Sequence, residues 1–410
     1  MTAGGGLGYP PCMRQSAFAL LVAFASCLAC IRLASASLIQ VPDIGGRNTA
    51  LAGSDVAYPT DGPGILLSNA AGAVDQRGTS LNYSVLVAFS DAHYTNDAIG
   101  YDTKSSETPL VPTLWLSSDR FAPWHVGAGL YGSVGAAFNF PGSPTAGIPN
   151  RFFSELTILQ LGLVVGREVA PGLRFAIQPA PTYGRLRVHF PSPLGPVSYD
   201  VQGVGIGGSV GFLYDVGDLA PGATLGVSYR SPGIVYMNGD GDVADAGEDV
   251  RVRLHTPQSV AFGFACDLAA GLKLVAESRW SDYSEFEKGT VRFDRTHALN
   301  SPVIAAARDT FRYGVGIDYA LAEWAHVRAG ISHEPWMIEG SALSPLLSDF
   351  TDTFAAIGAS FDVGRWTIEG TIGDGIYEDR VVTPTENAAF PGRYQLEAAI
   401  AGLAVTYRMN

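Results

Sequence analysis

What most constrains this chain is a two-residue rhythm whose strands are joined alternately by short turns and long loops. Phe311, Tyr313, Val315, Ile317, Tyr319 and Leu321 interleave with Arg312, Gly314, Gly316, Asp318 and Ala320. Leu225, Val227 and Tyr229 interleave with Gly226, Ser228 and Arg230, and Trp366 and Ile368 with Thr367 and Glu369. Period 2 is the strand signal. A soluble β-sandwich alternates in the same way, so the connections must separate the two. Tight ones fall at Ser118–Pro123, Val169–Gly172, Gly217–Gly222, Leu268–Gly271, Leu321–Trp324 and Asp362–Arg365. Longer polar ones fall at Ser90–Glu107, Phe140–Arg151, Pro191–Ser198, Ser231–Pro257, Glu285–Asp309, Pro335–Asp349 and Gly373–Pro391. Thirteen connections join fourteen strands. An even strand number, with short turns at one end and long loops at the other, is the pattern of an outer-membrane barrel. The predicted fold class is therefore all-β: a transmembrane antiparallel β-barrel of about 14 strands.

Composition agrees. Of 410 residues, 47% are apolar and only 16% charged, against about a quarter charged in an ordinary soluble domain. The net charge of −13 argues against nucleic acid as a partner, which needs a basic face. Arg14, the apolar run Ser16–Cys30 and Ala34-Ser35-Ala36 read as a secretory signal peptide over 1–36. Beyond it no apolar stretch reaches the roughly 20 residues of a membrane helix. Of Cys12, Cys27, Cys30 and Cys266 only the last follows the leader, which excludes an internal disulfide scaffold. Residues 37–78 lack alternation yet carry apolar patches such as Ile65-Leu66-Leu67. They read as a plug folded into the lumen, with the barrel over 79–410.

Two predicted strands carry candidate sites. From Leu173, Phe175 and Ile177 the apolar set changes phase to Leu186, Val188 and Phe190, with Pro179 and Pro181 between. Proline cannot donate to a ladder, so a bulge or bend is expected there. Arg185 and Arg187 then point into the barrel, because a cation facing lipid is costly. A guanidinium fork there suits a planar carboxylate, and pairing with hatch or wall acids accounts for both residues equally well. The strand His125–Phe140 holds Gly127, Gly129, Gly132 and Gly135. Such glycines mark a bulge or a close backbone approach, and making room for the plug explains them equally. Phe138, Phe140 and Ile148–Phe153 form an apolar landing groove in the external loop. Asn238–Asp249 is rich in oxygen ligands, but Val243 and Asp249 occupy the positions where a calcium loop needs Gly and Glu; a solvated loop is expected, with no metal. No nucleophile elbow, metalloprotease or phosphate-loop motif is present, so neither an enzyme nor a cofactor is expected.

Several motifs resemble the long-chain fatty-acid transporter family of the FadL/TodX type. Gly46-Arg47, Ala50-Leu51-Ala52-Gly53, Asp61-Gly62 and Ser68-Asn69-Ala70-Ala71 are similar to its hatch signature, with Ala70 where the family has Pro. Tyr183-Gly184-Arg185, Val227-Ser228-Tyr229-Arg230-Ser231, Leu254-His255-Thr256-Pro257 and Trp280-Ser281 with Phe286 and Lys288 match later family stretches in order. The C-terminus departs from the family, because Arg408-Met409-Asn410 extends past the usual aromatic end. The resemblance implies a fourteen-stranded barrel with an N-terminal hatch that includes Arg47, Asn69, Ala70 and Ala71. It implies substrate contacts at Arg185, Arg187, Lys288, Phe138 and Phe140, and a lateral opening at Gly129, Gly132 and Gly135. It further implies passive uptake of hydrophobic molecules, fatty acids or hydrocarbons, across a Gram-negative outer membrane. Outer-membrane lipid and the barrel-assembly machinery are the implied partners, and the chain is expected to be a monomer. The rival readings are a general diffusion porin for polar solutes and a barrel that anchors surface loops.

Overall fold

A computed structural model describes residues 44–59, 62–217 and 220–409; the expected signal peptide and the hatch start at Ser37–Val41 lie outside the described residues. Strand segments follow in chain order as β1 Thr79–Asn96, β2 Tyr101–Glu107, β3 Leu110–Phe121, β4 Trp124–Phe140, β5 Phe152–Ala170, β6 Leu173–Ser192 and β7 Gly195–Asp215. Next come β8 Thr224–Arg230, β9 Gly233–Val243, β10 Ala246–Thr256, β11 Gln258–Ala269, β12 Leu272–Asp282, β13 Thr290–Phe293 and β14 Ser301–Pro302. The last are β15 Thr310–Ala322, β16 Ala325–Glu334, β17 Asp352–Val363, β18 Trp366–Tyr377, β19 Arg380–Val382 and β20 Gly392–Met409. Three pairs are single staves broken at a proline: β2 and β3 at Pro109, β8 and β9 at Pro232, β10 and β11 at Pro257. With the short β13, β14 and β19 set apart, fourteen staves remain. Every neighbour is antiparallel, and β1 pairs with β20 from Thr79↔Met409 to Thr95↔Arg393, closing the barrel without an edge. Arg408 and Met409 thus belong to the last strand's ladder.

The outer face carries the predicted alternation. Phe311, Tyr313, Val315, Ile317, Tyr319 and Leu321 are all exposed, whereas Arg312 and Asp318 between them are buried. On β6 and β7 the exposed apolar band runs from the Leu173↔Tyr214 pair to the Tyr183↔Val204 pair. Those steps cover about 34 Å of strand, or about 26 Å of height at a tilt near 40°, the thickness of a lipid-facing band. Aromatic residues edge it at the short-turn end, where Trp324 packs against Phe361 and Trp366 against Tyr407.

Two expectations require correction. Residues Ser90–Glu107, Pro191–Ser198 and Ser231–Pro257 are not long loops but tall hairpins, β1–β2, β6–β7 and β9–β10. Their outward residues turn polar where the wall rises above the lipid, so polarity there marks height rather than loss of strand. In β6 there is no bulge at Pro179 and Pro181: the register with β7 runs unbroken from Leu173↔Tyr214 to Ser192↔Gly195. Residues two apart point their N–H groups at the same neighbour. Both prolines face β5, and only that ladder lapses, between Gln160↔Thr182 and Val165↔Ile177, with the register unchanged. The even residues of β6 face inward along its whole length. The apolar set moves from one face to the other because the surroundings change at constant phase: lipid gives way to water outside, and the polar plug to an apolar chamber inside.

The described N-terminal residues lie inside the barrel. They form a short helix, α1 Gly46–Ala50, and two 3₁₀ turns, Pro63–Leu66 and Ala70–Asp75, nearly all buried. Ile44, Ile65, Leu66, Leu67, Ala70, Ala71 and Ala73 pack on Trp115, Tyr131, Val164, Ala176 and Leu213 of the wall. A second, larger apolar cluster fills the loop end, joining inward residues of β4–β10 to the overhead loops.

Candidate functional site

The lumen has a floor, a chamber and a roof. The floor is the N-terminal segment, held by wall side chains from all around. Arg47 meets Glu369 of β18 at 2.8 Å. Arg312 of β15 donates to the carbonyls of Ala52 and Gly53. Glu277 of β12 accepts from Val56 N at 3.3 Å, and Gln178 of β6 donates to Leu66 O at 3.2 Å. Asn69 is the central tie. Its Oδ1 accepts from Ala71 N at 3.0 Å, capping the second 3₁₀ turn, and its Nδ2 donates to Val56 O and to Phe212 O, both at 2.9 Å. This cap starts the turn at Ala70 without the proline of the family pattern. Buried polar groups need such partners, so the floor is tied in place by them.

Above the floor lies a cavity of about 460 Å³, within the usual range for small-molecule sites. Leu156, Leu186, Val188, Val291, Phe293 and Phe390 are prominent in its lining, and no described lining residue is charged. The polar side chains at its edge are already engaged in part: Ser154 donates to Leu346 O at 2.6 Å and Asn387 to Gly340 O and Leu343 O. The roof is made by the loops. Trp336 stacks between the guanidinium groups of Arg308 and Arg380, 3.3 and 4.4 Å from its ring centre. Asp349 accepts from the N–H groups of Met337 and Ile338, yet burial outweighs those donors and pushes its carboxyl up to about 6.

The wall beside the chamber is irregular at one place. Residue Ser133 of β4 is extra: Gly132 pairs with Leu159, but Val134 with Ile158. Before this bulge the odd residues of β4, ending at Tyr131, face inward; after it the even ones do, through Val134, Ala136, Phe138 and Phe140. The ladder between β3 and β4 stops at Leu114↔Leu130, just below the bulge. A small recess bounded by Leu67, Ser133, Val134, Gln160 and Arg230 lies there.

The predicted residues divide accordingly. Asn69, Ala70 and Ala71 come together in the floor with Arg47. Phe138 and Phe140 are buried in the apolar cluster beside the cavity, their rings stacked 6.1 Å apart. The three glycines separate. Gly129 lies within the ladder, where a Cβ would strike Leu66 of the floor. Gly132 is at the bulge, and Gly135 follows it on the outward-facing set. Arg185 and Arg187 do not enter the lumen. They share the outward face of β6, where Arg185 binds Asp200 through Nε at 2.9 Å and Arg187 binds Glu155. The lipid-cost argument fails for them because they stand above the lipid band. Lys288 is 59% exposed and held by Glu285 at 2.6 Å, outside the cavity lining. The oxygen-rich stretch Asn238–Asp249, expected as a solvated loop, is the top of the β9–β10 hairpin, and no metal-competent group of His, Cys, Asp or Glu occurs among the described residues.

One luminal cation that sequence reasoning did not single out as a site residue is Arg230. It reaches the floor's top at Leu66 O, 2.8 Å, and Leu67 O, 3.3 Å, and lies 3.4 Å from the Tyr131 hydroxyl. The alternation of Leu225, Val227 and Tyr229 sets it on the face opposite theirs, with Gly226 and Ser228.

A fourteen-stranded barrel with a bound luminal floor and an apolar chamber is an outer-membrane transport architecture. The family described as "Outer membrane protein transport protein (OMPP1/FadL/TodX)" matches residues 195–409, more than half the chain, and the chain belongs to that family of outer-membrane proteins, which are channels and not enzymes. The Neisseria meningitidis serogroup B protein NMB0088 is 22% identical over 248 residues, 52% of this chain and 53% of that one; the alignment thus spans about half of that relative. Similar solved structures include a Pseudomonas aeruginosa FadL homologue (TM-score 0.76, 15% identity, 91% of this chain and 100% of that one). The P. putida toluene transporter TodX follows at TM-score 0.74 and 17% identity, covering 90% and 99%. The Ralstonia pickettii toluene transporter TbuX has TM-score 0.73 and 17% identity over the same shares. At these identities the likeness is one of fold.

Proposed function

We propose that this protein passes uncharged hydrophobic molecules, in the size range of small hydrocarbons, from outside into the outer membrane. The observation that carries the reading is the apolar chamber, with no charged residue in its described lining. A carboxylate placed there would lose its hydration and gain no counter-ion, whereas an uncharged hydrocarbon gains by leaving water. The toluene transporters of the same fold favour the same class of cargo. A diffusion porin is disfavoured because the floor fills the lumen.

The route follows one face of β4. Ala136 lines the chamber and Val134 the recess below it, and the recess adjoins the place where the β3–β4 ladder ends. Cargo captured under the roof moves down this face and leaves sideways into the bilayer, never crossing water. The luminal segment acts as the hatch: with Arg230 on its carbonyls it closes the path to the periplasm, and a shift of Leu66-Leu67 widens the recess.

Uptake of labelled toluene and labelled oleate by an outer-membrane host lacking its own transporter tests this, with Leu186→Trp and Arg185→Ala in parallel. Leu186→Trp fills the chamber and is expected to lower toluene uptake at least fivefold; Arg185→Ala leaves it unchanged. Faster uptake of oleate than of toluene, lost in Arg185→Ala, would replace the reading with a fatty-acid carrier.

A further inference from the structure

We propose that the outside of the barrel around β10 and β13 binds the phosphorylated headgroup of an outer-leaflet glycolipid. The proposal starts from height. Tyr183, Val204, Tyr236 and Arg253 lie on one rung of the outward face, through the pairs Tyr183↔Val204, Val204↔Tyr236 and Arg253↔Tyr236. At Tyr183 and Val204 this rung ends the lipid-facing band, and further round the barrel the Arg253 guanidinium lies 5.7 Å from the ring centre of the exposed Tyr236. The next rung outward is Arg185, Gln202, Asn238, Arg251 and Arg292. Arginines therefore stand next to the exposed Tyr236 and Val204 that end the lipid-facing set on this side of the barrel.

Charge pairing adds an independent reason. Arg251 and Arg292 are directly opposite across the β10–β13 ladder, and like charges so placed destabilise a sheet. Asp294 takes Arg251 at 2.7 Å, as Asp200 takes Arg185. Arg253 and Arg292 have no carboxylate partner among the described residues. Lys288 adds a cation close by, though Glu285 holds it: a Cβ on its neighbour Gly289 would lie 3.1 Å from Arg253 O. One rung further out, beyond Arg187 on β6, the face turns acidic, with Asp200, Asp240 and Asp249 side by side and Asp294 beyond them. A phosphate is attracted at the arginine rung and repelled above it, which sets its depth. Guanidinium forks match phosphate oxygens in pairs, and the acyl chains continue down Val204 and Ile206, both exposed.

Native mass spectrometry of the folded barrel in micelles tests this, with bisphosphorylated lipid A as the probe. Wild type is expected to keep one lipid A. The R253Q/R292Q double variant loses affinity by about tenfold, and dephosphorylated lipid A binds wild type no better than the phosphorylated form binds the variant. Arg393→Gln, an exposed outward position on β20, leaves binding unchanged. Both arginines are on the outer surface, and heat-modifiable gel mobility confirms that each variant folds. Equal retention by the double variant, equal binding of the dephosphorylated lipid, or displacement by millimolar inorganic phosphate would each overturn the assignment.

Discussion

At the scale of single residues, Asn69 carries more structure than any other polar side chain of the floor. It caps a 3₁₀ turn and supplies donors to carbonyls of both the floor and the wall. The wall accommodates it at Gly211, where a Cβ would collide with Asn69 Oδ1. Asn69→Ala removes the cap and leaves two carbonyls short of a donor, a cost of roughly 2–3 kcal/mol. Exchange of the amides over Ala70–Asp75 should then quicken by a factor on the order of 30–100 in hydrogen–deuterium measurements; unchanged protection would mean the floor is held mainly by apolar packing. Gly211→Ala should have the same effect by collision. Asn69 was legible in the sequence through its family motif. Arg185 was legible as a residue but not as a position. Strand periodicity fixes which residues share a face, but naming that face inward or outward requires knowing the height, because a charge is excluded from the outer face only within the lipid. Arg230 fell by periodicity on the face opposite Leu225, Val227 and Tyr229, but its role depends on carbonyls brought to it from residues 66 and 67, which no local pattern announces.

Among the elements, β4 differs most from its neighbours. Its extra residue, Ser133, changes which side chains face inward and coincides with the end of its ladder to β3. Removing it restores a strict alternation: Tyr131 and Val134 become next-but-one neighbours and the β5 register continues without a step. Deletion of Ser133 is therefore expected to leave a folded, heat-modifiable barrel while lowering hydrocarbon uptake several-fold. Uptake at the wild-type rate would show that cargo does not leave beside β4. The glycines signalled an irregularity in this strand, but not its site, since Gly129 proved to be a seat for Leu66 and only Gly132 adjoins the bulge. Prolines were read less well. Pro109, Pro232 and Pro257 break their staves, whereas Pro179 and Pro181 do not break β6. The difference lies in which neighbour each missing N–H would have served, a property of pairing partners distant in sequence.

For the molecule as a whole, the lumen has two sides. Wall residues from β4 to β10 give it an apolar side through Val134, Ala136, Ile158, Leu186, Val188, Val235 and Met237. The side from β12 to β18 is ionic, with Glu277 bound to Arg279 at 2.8 Å and Asp318 bound to both Arg328 and His326 at 2.8 Å. The floor bridges the two, offering Leu66 and Leu67 to the first and Arg47 to Glu369 of the second. The closed ladder does not depend on the floor, because each stave is hydrogen-bonded to its two neighbours. Deleting residues 44–78 is therefore expected to leave a barrel that still inserts. Its stability falls by only about 1 kcal/mol for each floor-to-wall hydrogen bond lost, since water entering the lumen replaces the missing partners. The ionic side would then line an aqueous pore. In planar bilayers the truncated barrel should show a steady ion conductance, while the intact protein stays closed or flickers. A truncated barrel as silent as the intact one would move the barrier from the floor to the roof of loops around Trp336, and the hatch role would fail with it. A large steady conductance in the intact protein would restore the porin reading, because a filled lumen cannot pass hydrated ions.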